Sequence, residues 1–309
     1  MNYKITVFGA KDTTYKIIEF IENNLQKIDL IVTIDETVLG KSNVAGFKSL
    51  KALAQKYHIE IFETKDYTLQ DDDCRSFFEN NDFELGISMG WQRLVPEYIL
   101  ARYKSGIFGF HGSCGYLPYG RGRSPMNWSI INGDSRFIMN LFQYDRGADS
   151  PNVFESIMFE INSFDTIRTL QYKNLLCAKD LISHLLEAYN SDSITIKTET
   201  HDFDLWYDKR GPKDGIIDFR LKTREIYNLV RGVTKPFPGA FSYVNGEKVT
   251  IWSVVPFDQL LDFSGYCPGE IIDVFDGRPI VRTVDGSLLI NEYESNVVLK
   301  QHDVFEKTF

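Results

Sequence analysis

Residues 3–23 read YKITVFGAKDTTYKIIEFIEN, and this stretch decides the fold class. Residues 3–8 alternate and are partly β-branched or aromatic, the pattern of a strand. Gly9 ends it, and from Thr13 onward apolar residues return near helical spacing. The same unit repeats along the chain. Residues 28–34 form an apolar strand run, VAGFKSLKALAQKYH (44–58) a helix, and residues 59–62 a short strand. DDDCRSFFENN (71–81) is a helix whose leading aspartates suit its dipole. Residues 85–89 are a strand, PEYILARY (96–103) a helix opening on proline, and residues 107–110 a fifth strand. Strands alternating with helices predict an α/β domain with a mainly parallel sheet and right-handed crossovers.

Further on, residues 137–143 read as a strand and TLQYKNLLCAKDLISHLLEAYN (169–190) as a long helix. Residues 191–200 are a polar connector. From Asp204 the composition changes: YDKRGPKDGIIDF (207–219) is turn-rich and TREIYNLVRGVT (223–234) is one amphipathic helix. FSYVNGEKVTIWSV (241–254) is a hairpin turning at Asn245–Gly246, and residues 271–294 hold further strands separated by Asp-Gly turns. The expected division is a catalytic α/β domain over 1–203 and a small, mostly β, barrel-like domain over 204–309.

A length of 309 residues suits two such domains, and 43% hydrophobic with 25% charged residues is ordinary for a folded protein. Lys and Arg number 34 against 43 Asp and Glu, a net charge of -9, which disfavours nucleic acid as a partner. No run approaches the roughly 18 apolar residues of a membrane span, and the first residues lack a signal pattern. No membrane partner and a cytoplasmic location are therefore expected. The four cysteines form no CxxC pair, so free thiols and no metal are expected.

In open α/β sheets, ligands bind beyond the carboxyl ends of the strands. Two loops fall there: SMGWQR (88–93) and the long glycine-bearing FHGSCGYLPYGRGRSP (110–125). His111 stands at a strand end, and Asp149 lies in the loop of FQYDRGADSPN (142–152). A histidine with an orienting carboxylate is what a general base needs.

HGSCGYLPYGRGRSP, then NWSIINGD, then YDRGADS resembles the formyltransferase family that uses N10-formyltetrahydrofolate. Leu117, Pro118, Arg121, Gly122 and Pro125 fit its loop, Gly133–Asp134 its turn, and Asp149–Ser150 its last element, with Pro151 where glycine is usual. YDKRGPKDGIIDFR, IYNLVRGVTKPFPGAF and VNGEKVTIWSV resemble the second domain of methionyl-tRNA formyltransferases, and still more the formyltransferases acting on nucleotide-linked amino sugars. The resemblance implies a Rossmann-like domain followed by an OB-like one. It implies one-carbon transfer from N10-formyltetrahydrofolate to an amino-sugar amine, for surface glycan synthesis, with His111 as base and Asp149 orienting it. A methionyl-tRNA formyltransferase is the alternative enzyme.

One departure bears on activity. The family's asparagine, two residues before the histidine, aligns with Gly109. Ser113, Asn127, a backbone N–H of the loop or a bound water is then the substitute donor to the oxyanion, or the chain binds folate or nucleotide with little transfer. The resemblance further implies folate contacts at Ser88, Met89, Gly90, Trp91, Leu94, Gln143, Tyr144 and Asp145. Trp91 reads equally well as a core residue. Arg121 and Arg123 are candidates for phosphate contact or loop structuring. Tyr172 and Lys173 read as a substrate contact or as a helix-surface pair, and Arg231 as a diphosphate ligand or a helix cap. A homodimer is admissible, but no interface can be read.

Overall fold

A computed structural model describes residues 1–38, 46–147, 152–198 and 205–306. The chain packs as two compact units. The first comprises residues 1–121, 138–158 and 174–205, and the second 122–137, 159–173 and 206–309.

The first unit is built on an eight-stranded sheet. Its strands are β1 (Asn2–Phe8), β2 (Leu30–Ile34), β3 (Glu60–Thr64), β4 (Asp82–Ser88) and β5 (Tyr103–Ser113). After a two-residue β6 (Arg121–Gly122), β7 (Arg136–Gln143), β8 (Asn152–Glu160) and β9 (Lys197–Thr198) complete it. The order is β3-β2-β1-β4-β5-β7-β8-β9. The pairs from β3 through β5 are parallel, and β7 runs antiparallel to β5. The predicted mainly parallel sheet is thus present.

Local chemistry explains the crossovers. Helix α1 (Asp12–Asn24) buries Thr14, Ile17, Ile18 and Ile21, a single stripe at i, i+3, i+4 and i+7. Helix α2 (Lys51–Tyr57) is shorter than the pattern over 44–58 predicts. Phe47 is bridged to Lys11, and the Lys48 N–H donates to the Ala10 carbonyl, so that backbone is engaged outside any helix. Helix α3 (Asp72–Glu79) is capped by Asp71, whose carboxylate accepts from the Cys74 N–H at 2.8 Å. Helix α4 (Glu97–Leu100) is one turn, because the chain enters β5 already at Tyr103. Under the sheet, Phe8, Phe78, Phe83 and Tyr103 form an aromatic core, with Phe83 stacked on Tyr103 at 4.9 Å. Truncating Phe83 to alanine would cost about 4 kcal/mol.

The second unit contains α5 (Pro125–Ile131), the first turns of α6 (Ile167–Asn190), the short β10 (Trp206–Tyr207) and α7 (Thr223–Val233). Its sheet is antiparallel, with β11 (Ala240–Val244), β12 (Glu247–Asp258), β13 (Ile271–Phe275), β14 (Arg278–Arg282) and β15 (Ser287–Ser295) in the order β11-β12-β15-β14-β13. The hairpin turns at Asn245–Gly246, where φ is 51° and 78°, conformations that Asn and Gly tolerate. Helix α7 lays Ile226, Val230 and Val233 onto this sheet's apolar face.

Candidate active site

Strand β5 carries the site. Gly109 and His111 alternate with Phe108 and Phe110, so their side-chain positions share one face of the sheet. The register sets Ser88 of β4 beside Gly109, and Asn140 of β7 opposite His111, on that same face.

His111 is half-buried, and its Nε2 lies 2.8 Å from the Gly120 carbonyl oxygen. A carbonyl only accepts, so Nε2 carries the hydrogen. Asp149, the expected partner of His111, lies outside the described residues. The fully buried Asn140 was not anticipated from the sequence. Its amide donates to the His111 carbonyl at 3.1 Å, and its Oδ1 accepts from the Ser156 hydroxyl at 2.7 Å. A lone asparagine inside the apolar run FIMNLF (137–142) is the signal that marks it.

Strand β7 ends at Gln143, and the Tyr144 N–H donates to the Ile107 carbonyl at 2.8 Å. The phenol thereby lies over Gly109. A Cβ at residue 109 would fall 2.1 Å from the ring's Cε1 and 2.2 Å from its hydroxyl oxygen. No side chain fits there while the phenol stays, so Tyr144 is the physical reason for glycine at 109. The Tyr144 hydroxyl donates to Ser88 Oγ at 3.1 Å. Two residues expected to contact folate from separate segments are thus joined.

The other expected contacts behave differently. Met89 accepts from the Thr14 hydroxyl through its carbonyl, and Gly90 passes close over Thr14 and Lys11. Trp91 packs in the core, edge-on to Tyr67 with ring centroids 4.6 Å apart. Of its two readings, core residue or folate contact, packing favours the first. Leu94 is exposed, and the Gln143 amide packs against Gly106. Asp145 Oδ1 accepts from the Gly147 N–H at 2.7 Å.

In the loop after β5, Ser113 is buried. Its Oγ lies 2.9 Å from the Gly115 carbonyl and 2.8 Å from the Tyr119 carbonyl, and it accepts from the Gly115 N–H. It is a loop donor, and its hydrogen is directed at these carbonyls rather than at a ligand. Arg121 is half-buried in β6.

The remaining candidates lie in the second unit. Arg123 is exposed, and its N–H donates to the Tyr207 carbonyl at 2.9 Å. Asn127 is buried and donates to the Gly232 carbonyl at 2.8 Å, which ties α5 to α7. Arg231 is buried as well. Its guanidinium donates to Asn228 Oδ1 at 2.9 Å, and to the carbonyls of Asn162 at 3.0 Å and Asp165 at 2.7 Å. These are not the helix-end carbonyls expected of a cap but those of the loop before α6, and burial lowers its pKa from the usual value. Lys173 reaches Asp165 Oδ2 at 2.6 Å and the Glu160 carbonyl at 2.9 Å, so it also braces this loop. Tyr172 is half exposed, with Arg168 over its ring. Among the described residues no helix is long and apolar enough to cross a membrane, and no acidic, His or Cys cluster has the makings of a metal site.

Residues 210–306 match the family model for the formyl transferase C-terminal domain. This segment is a formyl transferase C-terminal domain. It holds α7 and the whole antiparallel sheet of the second unit. Solved formyltransferases resemble the chain well beyond that C-terminal domain. An N-formyltransferase from Helicobacter canadensis, solved with folinic acid and dTDP-3-aminofucose, is 18% identical with a TM-score of 0.63, covering 93% of this chain and 98% of that one. WlaRD, a sugar 3N-formyl transferase solved with dTDP and 5-N-formyl-THF, is 19% identical with a TM-score of 0.64, covering 96% of this chain and 98% of that one. HypX from Aquifex aeolicus, solved with tetrahydrofolic acid, is 16% identical with a TM-score of 0.63 over 96% of this chain. The chain spans 44% of HypX, under half its length. At these identities the likeness speaks for a shared fold. The resemblance to formyltransferases read from the sequence holds.

Proposed function

We propose that the chain transfers a formyl group from N10-formyltetrahydrofolate to the primary amine of a nucleotide-linked amino sugar, in the synthesis of a surface glycan. The observation that carries this reading is His111 at the carboxyl end of β5. It shares a sheet face with Ser88, the Tyr144-covered Gly109 and Asn140, where open α/β sheets take their ligands. The C-terminal domain match and the likeness to two sugar N-formyltransferases support it. The net charge of -9 favours a small-molecule acceptor over tRNA.

Folate enters as a cosubstrate. The segments around Ser88 and Tyr144, which meet in the fold, are its proposed contacts. The neutral amine attacks the formyl carbon, and the formyl oxygen takes up negative charge. His111 accepts the proton from the amine nitrogen, with Nε2 held by Gly120 and Asn140 fixing the backbone. Asp149 stabilises the protonated ring in this reading. The carbon–N10 bond then breaks, N10 regains a proton, and the products are a formamide and tetrahydrofolate.

The test is incubation with N10-formyltetrahydrofolate and a panel of UDP-, dTDP- and GDP-linked amino sugars, read by mass spectrometry. Gain of one formyl group by a sugar supports the reading and names the acceptor. Formylation of methionyl-tRNA alone would move the reading to the tRNA enzyme. Tight folate binding with no transfer would make the chain a binding protein.

A further inference from the structure

We infer that the Tyr144 hydroxyl is the hydrogen-bond donor to the formyl oxygen, with Ser88 behind it as a positioning residue. This rests on the formyl-transfer reading. Attack on a formyl carbon drives negative charge onto its oxygen, and a fixed donor aimed there supplies a large share of the rate enhancement in acyl transfer. His111 serves the amine nitrogen, so a separate group must serve the oxygen.

The geometry singles out Tyr144. Its hydroxyl oxygen occupies the space that a side chain at residue 109 would fill, 2.2 Å from where the Cβ would lie. Residue 109 is two positions from His111 on the same strand face, about 6.6 Å along the strand. The phenol over position 109 and the His111 side chain two residues on therefore face the same side of the sheet. The other hydroxyl and amide candidates are directed elsewhere: Ser113 at its own loop and Asn127 at Gly232. A phenol is also a better donor than an alcohol, with a reference pKa of about 10.

Ser88 explains how the donor is held. The phenol now donates to Ser88 Oγ at 3.1 Å. If both hydroxyls rotate, the Ser88 hydroxyl donates to the phenol oxygen, and the phenol hydrogen turns to the formyl oxygen. No covalent bond forms or breaks, and no proton changes owner. The buried serine keeps the phenol over Gly109 in both arrangements.

Tyr144→Phe tests this, because the ring still covers Gly109 and only the hydroxyl is lost. The expected result is a fall in kcat of about 100-fold with KM for N10-formyltetrahydrofolate little changed. The second measurement needs no acceptor. In 10-formyl-5,8-dideazafolate carrying a 13C formyl label, the infrared carbonyl stretch should lie lower when bound to the native protein than to Tyr144→Phe. Ser88→Ala should shift it part of the way. Equal stretches in native protein and Tyr144→Phe, or unchanged kcat, would overturn the inference and leave the formyl-transfer reading standing. A native protein that neither binds this analogue nor formylates any amine would overturn both.

Discussion

His111 Nε2 and the Gly120 carbonyl oxygen are 2.8 Å apart, so the imidazole's hydrogen is held by the loop that follows its own strand. Ring orientation thereby depends on how residues 113–120 fold back. Ser113 makes that fold-back through its contacts with Gly115 and Tyr119.

His111→Asn should lower formyl transfer at least about 100-fold while affinity for a formyl-folate analogue stays near native. Steady-state kinetics beside a fluorescence titration separates the two. Near-native turnover would remove His111 from the role of base.

Gly109→Asn should destabilise the protein rather than complete its active site. The new Cβ would lie 2.1 Å from the Tyr144 ring, and overpacking of this kind costs about 1–3 kcal/mol. A lower urea midpoint is expected, largely restored by adding Tyr144→Ala. An unchanged midpoint in the single variant would mean that the phenol swings away freely.

Arg231→Met should cost about 3 kcal/mol, since the Asn162 and Asp165 carbonyls lose their donor inside the protein. At a temperature where the variant is folded, KM for the acceptor should be unchanged. A raised KM with unchanged stability would return Arg231 to substrate binding.

Asp165 should give the protein an acid-sensitive stability. Burial alone would raise its pKa, but hydrogen bonds from Lys173, the Asn162 N–H and Thr169 outweigh it and hold the carboxyl below its ordinary 3.8. A depressed carboxyl contributes fully above that ordinary value, and the contribution fades as pH falls through the lower folded value. Asp165→Asn should therefore be less stable at neutral pH and lose less on acidification to about pH 3. Parallel urea midpoints of the two proteins across that range would contradict the assignment.

Much of the architecture was legible because its causes are local. The apolar stripe of α1, the Asp71 cap and the Asn245–Gly246 turn are all written within a few residues of the elements they define. So were the formyltransferase-like motifs around His111, although β5 runs on through His111 to Ser113 rather than ending before it. The helix predicted over 44–58 is shorter than expected for the opposite reason. Phe47 and Lys48 bond to residues 10 and 11, and no local pattern records that.

By itself, then, the sequence determined the alternation of strands and helices and the β-rich C-terminal part, because periodicity, caps and turns act over short spans. Only the tertiary structure decided why residue 109 is glycine, that Trp91 packs in the core, and that Arg231 and Lys173 brace a loop. Gly109 and Tyr144 are 35 positions apart, and it is the antiparallel register of β5 on β7 that brings the phenol to the glycine. Contacts of that kind depend on which strands become neighbours, which is settled when the whole sheet assembles.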